Sequence, residues 1–238
     1  MKRLFIGIFG AVSLFIGAAR ADGLEYDTSD PMYMQGIGEI LSSSSIVYYD
    51  SVMRVGEDLS YGFRDRFVAG IKLHYQNDFA GDEDGFSSFD LGGVYRLGRA
   101  ADNDARIMTD VLFGFKFGGS SHVRTPWFAD STYYAGLRFG RQWAGMTLAG
   151  TVKSSWIFDD TRGMSYIDFV PEAYFRLQGA WRAGIGADIR VATDSHYDQE
   201  WLNFKILRQY GRTQYIAHTD YEFEGDELQV GLRLNILF

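Results

Sequence analysis

The sequence predicts an all-β fold: a closed antiparallel transmembrane up-and-down β-barrel of about twelve strands. Three observations predict it. Apolar and polar residues alternate with period two along most of the chain, which gives each segment one face for an apolar medium and one for a polar one. The segments run about 10 to 14 residues, against roughly 5 or 6 in soluble sheets, and about 9 to 11 tilted residues cross a hydrocarbon layer. The polar faces are rich in Gly and in charges of both signs, which suits a crowded or wet lumen better than a sandwich whose polar face meets bulk water.

Residues 1–21 are expected to be removed. Lys2 and Arg3 precede an apolar run from Leu4 to Ala19, and Ala19-Arg20-Ala21 is a small-x-small cleavage site, so the segment reads as a secretory signal peptide. Taking Lys2, Arg3 and Arg20 from the 23 basic residues leaves 20 against 31 acidic ones, a formal charge of −11. That balance excludes nucleic acid as a partner, because phosphate binding needs a basic face. With no Cys in 238 residues, disulfide frameworks, thiolate metal sites and Cys nucleophiles are excluded as well. No cofactor is expected. Residues 22–35 form a lead segment and 36–238 the barrel.

The strands follow in order. Gly36 to Tyr49 is the weakest, with the run Ser42 to Ser45 inside it, and is accepted because a closed barrel needs an even count; ten strands is the alternative if 36–63 reads differently. Ser51 to Phe63 comes next, and then Phe67, Ala69, Ile71, Leu73 and Tyr75 alternate with Gly70, Lys72, His74 and Gln76. After the segment at 87–98, Ile107, Val111, Phe113, Phe115 and Phe117 oppose Asp110, Gly114 and Lys116. Segments at 130–142, 146–158 and 164–177 alternate similarly. Pro171 sits within the last of these, and a central strand cannot spare a donor without a local irregularity, so a bulge is expected there. In 181–193, Ala183, Ile185, Ala187, Ile189 and Val191 oppose Arg182, Gly184, Gly186, Asp188 and Arg190. Segments at 200–209 and 213–223 precede the final strand, Leu228 to Phe238.

The Trp residues fall near segment ends. Trp143 and Trp181 flank one set of turns and Trp127, Trp156 and Trp201 the other, the pattern of an aromatic girdle at each interface. Short connections alternate with longer ones at 78–86, 119–129, 159–163 and 194–199, apart from a tight turn near Gly225. The Gly residues recur on the lumen side, where they relieve crowding.

The closing strand carries a resemblance. A signal peptide, alternating strands, and a terminal Phe238 with Ile236, Leu234, Leu232 and Val230 behind it resemble a bacterial outer-membrane β-barrel protein of the small porin-like class. The resemblance implies a Gram-negative-type outer membrane, with its lipid and lipopolysaccharide as surroundings. It also implies insertion by the barrel-assembly machinery, with Val230, Leu232, Leu234, Ile236 and Phe238 as the assembly signal.

Function must then lie in the lumen or the outer loops. Barrels of about eight strands fill with side chains and those of sixteen or more hold a channel, so twelve admits a narrow pore or a plugged one. The lumen face is expected to carry Arg54, Lys72, Lys116, Arg138, Lys153, Arg176, Arg182, Arg190, Lys205 and Arg233. Against these stand Asp58, Asp90, Asp110, Asp168, Glu172, Asp188, Asp220 and Glu222. Such a set is either a polar passage for small solutes or an internal salt-bridge network in a structural barrel. His74 and His218 on the same face read as structural.

Two other readings attach to loops. Asp194-Ser195-His196 and Asp82-Glu83-Asp84 are similar to the paired acids and His of omptin proteases, in which a carboxylate orients an imidazole that activates water. Three-residue patterns recur by chance in acidic loops, and the chain is expected not to be an enzyme. Ser120-Ser121-His122 is a sequence neighbourhood rather than a triad. The acids Asp159, Asp160 and Asp198, with those above, lack the spacing of a Ca²⁺ loop, so no metal site is expected. The loop at 119–129 would serve an adhesion or ligand-binding protein.

Overall fold

The computed structural model describes residues 26–80, 83–97, 107–119, 131–158, 165–193 and 198–238. The signal-peptide segment, Trp127 and the motifs around Asp82, Ser120, Asp159 and Asp194 lie outside them.

Twelve strands form: β1 (Ile40–Tyr49), β2 (Val52–Arg64), β3 (Phe67–Asp78), β4 (Glu83–Arg96), β5 (Met108–Gly118) and β6 (Thr132–Gln142). The second half is β7 (Met146–Ile157), β8 (Ser165–Arg176), β9 (Trp181–Ala192), β10 (Gln199–Tyr210), β11 (Thr213–Glu222) and β12 (Glu227–Leu237). Each pairs antiparallel with its sequence neighbours, and β1 pairs with β12 to close the barrel. The seam runs with Ser44 opposite Leu234, and the backbone bonds between Ile40 and Phe238 of 3.2 and 2.8 Å finish it. Closure leaves no unpaired edge in the membrane, which is the condition for crossing one with strands. The count of twelve settles the alternative of ten, and the weakest segment is a strand over 40–49 rather than from Gly36.

Alternation sets the faces. On β12, Leu228, Val230, Leu232, Leu234, Ile236 and Phe238 point outward, whereas Gln229, Gly231, Arg233 and Asn235 point inward; Leu232 is 66% exposed and Asn235 5%. Rings thicken the outer band near its rims: Trp156 stacks on Tyr133 at a centroid distance of 4.9 Å, and Phe115 on Phe158 at 6.2 Å. Arg141 lies over Trp143 and Arg208 over Trp181 at the mouth that bears the termini.

Three expectations are corrected. Trp201 shares the inward face of β10 with Asn203, which bonds lumen-facing Asp220, so it belongs to the lumen and not to the girdle. Not every strand Gly faces inward: Gly93 and Gly150 face out under the rings of Phe113 and Phe139, which cover the backbone where a side chain is missing. Pro171 makes no bulge. Phe169 pairs with Ile189 and Glu172 with Gly186 in one register, so the ladder drops Val170 and Pro171 without inserting a residue. A missing donor costs only its own rungs when neighbouring strands hold the register on both sides. Bulges occur instead between Gly62 and Arg64 and between His74 and Tyr75. The β1–β2 hairpin is also tighter than the rest of that end, a two-residue turn with positive φ at Asp50 and Ser51.

Candidate functional site

The lumen is not empty. Residues 26–35, with no alternation of their own, cross the mouth where β1 begins and β12 ends. Asp27 to Tyr33 fold into consecutive turns, Asp30 N–H bonding the Asp27 carbonyl at 3.0 Å and Tyr33 N–H the Asp30 carbonyl at 2.9 Å. Asp30 Oδ1 accepts the Met32 N–H at 2.7 Å, so an Asp side chain turns the backbone ahead of Pro31's successor. The segment is thereby compact enough to fit inside a wall of twelve strands.

Long-range bonds tie it in place. Asp30 Oδ2 accepts from Arg176 Nη2 and, at 2.6 Å, from the Thr147 hydroxyl. Asp27 Oδ1 accepts from the Tyr174 hydroxyl and from Gln214 Nε2 at 3.1 Å, while its Oδ2 lies 3.3 Å from Arg176 Nε and 3.6 Å from Arg182 Nε. Thr28 and Ser29 hydroxyls donate to Gln214 Oε1 at 2.8 and 2.6 Å. Arg96 donates to the Met32 carbonyl at 2.8 Å, Lys205 to the Ser29 carbonyl at 3.2 Å, and Gln209 to the Tyr26 carbonyl at 3.2 Å. Asn235 reaches the Thr28 hydroxyl at 3.2 Å, and Gln35 donates to Ser60. Strands β2, β4 and β7 to β12 therefore all hold the segment.

Two glycines make the room. A Cβ on Gly140 would stand 2.7 Å from Met32 Sδ, and Met32 is 1% exposed. A Cβ on Gly62 would stand 2.0 Å from the Gly36 carbonyl oxygen, where the lead segment runs along β2 with Gly38 N–H on the Gly62 carbonyl at 2.9 Å. Burial pushes the Asp27 carboxyl above the usual aspartate range, against the Tyr174 hydrogen bond and the Arg176 and Arg182 guanidiniums that pull it down. Burial and the neighbouring Glu39 push the Tyr33 phenol up.

Above this plug, charges pair closely at several points along β4 to β11. Asp110 takes Arg96 Nε at 2.7 Å and Arg138 Nη2 at 2.6 Å; Asp168 takes Arg190 Nε at 2.7 Å and Lys153 Nζ at 3.0 Å; Glu172 lies 3.4 Å from Lys205 Nζ. Asp220 accepts Asn203 at 2.9 Å and lies 3.2 Å from His218 Nδ1. Between these strands and β1–β3 there is space. A cavity of about 360 Å³ is lined by Gln35 of the plug, by Asp58, Lys72 and Arg233, and across from them by Tyr33 of the plug and Asp90, Tyr134 and Arg138 of β4 and β6. Lys72 faces inward yet its side chain is 55% exposed, and Asp58 is its partner only at 3.8 Å. Arg54, Asp90, Lys116, Asp188, Glu222 and His74 share the inward face; His74 Nδ1 lies 3.0 Å from Ser88 Oγ. The terminal residues Val230, Leu232, Leu234, Ile236 and Phe238 stand together on the outer face beside the seam.

Sequence reasoning missed Asp27, Asp30 and Met32. The only signal was the Asp-Thr-Ser-Asp-Pro composition of residues 27–31, a turn-forming cluster placed ahead of the first strand.

No protein-family model matches the chain, and no curated protein matches it. Solved structures do. A KdgM porin superposes with a TM-score of 0.61 at 10% identity over 82% of this chain and 98% of that one. A NanC porin gives 0.62 at 8% identity, covering 84% and 98%. An outer-membrane channel from Pseudomonas putida F1 gives 0.61 at 9% identity, covering 91% and 99%. At such identities the likeness is one of fold: the chain is a closed, all-antiparallel β-barrel whose architecture resembles that of these small porins and channels.

Proposed function

We propose that the chain is a narrow passive channel for small hydrophilic solutes in the bacterial outer membrane, closed at its terminus-bearing mouth by residues 26–35 and opened when that segment withdraws. The observation that carries this is the cavity: with solvent-exposed Lys72 in its wall, it ends directly on the plug residues Tyr33 and Gln35. The Lys72–Asp58 pair at 3.8 Å is looser than the 2.6–3.0 Å pairs that Asp110 and Asp168 make. The porin likeness supports a non-enzymatic role. Planar-bilayer recordings of refolded wild type and of a variant lacking residues 22–35 test the reading. Rare, brief openings are expected for wild type and sustained conductance for the truncated barrel. A folded, truncated barrel without current refutes the channel.

The second reading, a structural barrel, rests on the ion-paired wall around Asp110 and Asp168. Under either reading we assign the outward row on β12 to recognition by the assembly machinery and the outer band to lipid and lipopolysaccharide.

A further inference from the structure

The plug is held chiefly at two carboxylates, and one pocket in the wall receives both. Arg176 donates from Nη2 to Asp30 Oδ2, and its Nε lies 3.3 Å from Asp27 Oδ2. One guanidinium therefore faces two carboxylates through neighbouring nitrogens. Arg182 Nε stands 3.6 Å from Asp27, the Thr147 hydroxyl donates to Asp30, and the Tyr174 hydroxyl and Gln214 Nε2 donate to Asp27. Both guanidiniums are buried, and wall carbonyls also hold them: Trp143 holds Arg176, and Gly179 and Trp181 hold Arg182. Among the described residues, Asp27 and Asp30 are the only carboxylates paired with either arginine. The other cations that bind the plug differ, because Arg96 keeps Asp110 and Lys205 keeps Glu172 when the segment leaves.

Withdrawal of the plug, the part of the channel reading on which this inference rests, strands two guanidiniums that no wall acid neutralises. We propose that the pocket is a binding site for a small dicarboxylate anion, which takes the place of Asp27 and Asp30 and thereby holds the segment out. The plug itself shows the chemistry that the pocket accepts: two carboxylates a short chain apart, both within reach of Arg176. The fit of Asp27 shows what a free ligand gains. Arg176 Nε, Arg182 Nε and Asp27 Oδ2 are all buried and none of them makes a hydrogen bond. Asp27 cannot close those gaps, because its backbone is fixed by the turn to Asp30 and its Oδ1 is pinned by Tyr174. An untethered carboxylate closes them and makes the charge-assisted bonds that Asp27 misses. Ligand and plug need the same donors, so the anion binds only the withdrawn state and shifts the equilibrium toward it. At a concentration about nine times Kd, the ratio of withdrawn to docked segment rises about tenfold.

Maleimide labelling of Thr28→Cys in the full chain, which has no other thiol, reads withdrawal without reference to conduction. At pH 7 succinate is expected to quicken labelling at least tenfold, whereas acetate and chloride at equal ionic strength leave the rate within twofold. Adding Arg182→Gln should raise at least fivefold the succinate concentration needed for the same acceleration, with circular dichroism confirming a folded barrel. A second measurement needs no change in the pocket wall. By calorimetry, Asp30→Ala should bind succinate at least tenfold more tightly than wild type, because the plug no longer competes as strongly for the pocket. Labelling indifferent to succinate, an equal response to acetate or chloride, an unchanged response in Arg182→Gln, or equal affinity in Asp30→Ala would each overturn the proposal. Succinate-dependent labelling without current upholds the anion site and removes the channel. Current through the truncated barrel, with labelling indifferent to succinate, upholds the channel and removes the anion site.

Discussion

Asp30 is the tie that holds the plug, and Asp30→Ala releases it. The substitution removes the bonds from Arg176 and from the Thr147 hydroxyl, together with the Met32 N–H bond that shapes the turn. It also leaves the Arg176 guanidinium, 3% exposed, with less anionic compensation. Breaking a buried ion pair by deleting one partner costs about 3–5 kcal/mol. The lower end applies, because Arg176 keeps Asp27 at 3.3 Å and the Trp143 carbonyl at 2.9 Å. About 3 kcal/mol corresponds to roughly two powers of ten in the ratio of docked to withdrawn segment. Maleimide labelling of Thr28→Cys reads that ratio, with and without Asp30→Ala, in a chain that has no other thiol. Labelling should quicken about a hundredfold while the barrel stays folded, and the fraction of time spent conducting should rise in parallel. An unchanged labelling rate would show that Asp30 does not hold the segment and would refute the reasoning.

Three further outcomes are expected. Gly62→Ala places a methyl 2.0 Å from the Gly36 carbonyl oxygen, so the lead segment must leave β2; overpacking of this kind costs about 1–3 kcal/mol, measurable by urea unfolding in detergent. Replacing Lys72 and Arg233 by Gln removes two cations from the cavity wall, so the reversal potential in a KCl gradient should move toward cation selectivity. Acid should not open the channel through Asp27. Its carboxyl is raised in the docked state, so docking binds protons more tightly than release does. That group therefore favours the plug below the ordinary aspartate range and loses this effect as pH rises through the raised value. Open probability at pH 5 should not exceed that at pH 7.

Much of the fold was legible because alternation is a property of neighbouring residues. Leu228 to Phe238 declares its two faces within eleven positions, and the inward set from Arg54 to Arg233 follows from the same count. Where the local pattern is ambiguous, reading failed for identifiable reasons. Trp201 is aromatic and near a strand end, yet parity with Asn203 and Lys205 turns it inward. Gly93 and Gly150 have no side chain to declare a face, and it is Phe113 and Phe139 that cover them. Pro171 lacks a donor, but the flanking ladders absorb the loss without a bulge.

The sequence by itself determined the class: period-two faces and strand length call for a closed barrel of twelve or ten strands, because every backbone group in a bilayer must find a partner. Only the tertiary structure decided what occupies the lumen. Asp27 and Tyr174 meet across 147 positions, and Asp30 and Arg176 across 146. Such pairs depend on the register of every intervening strand, which no local pattern encodes.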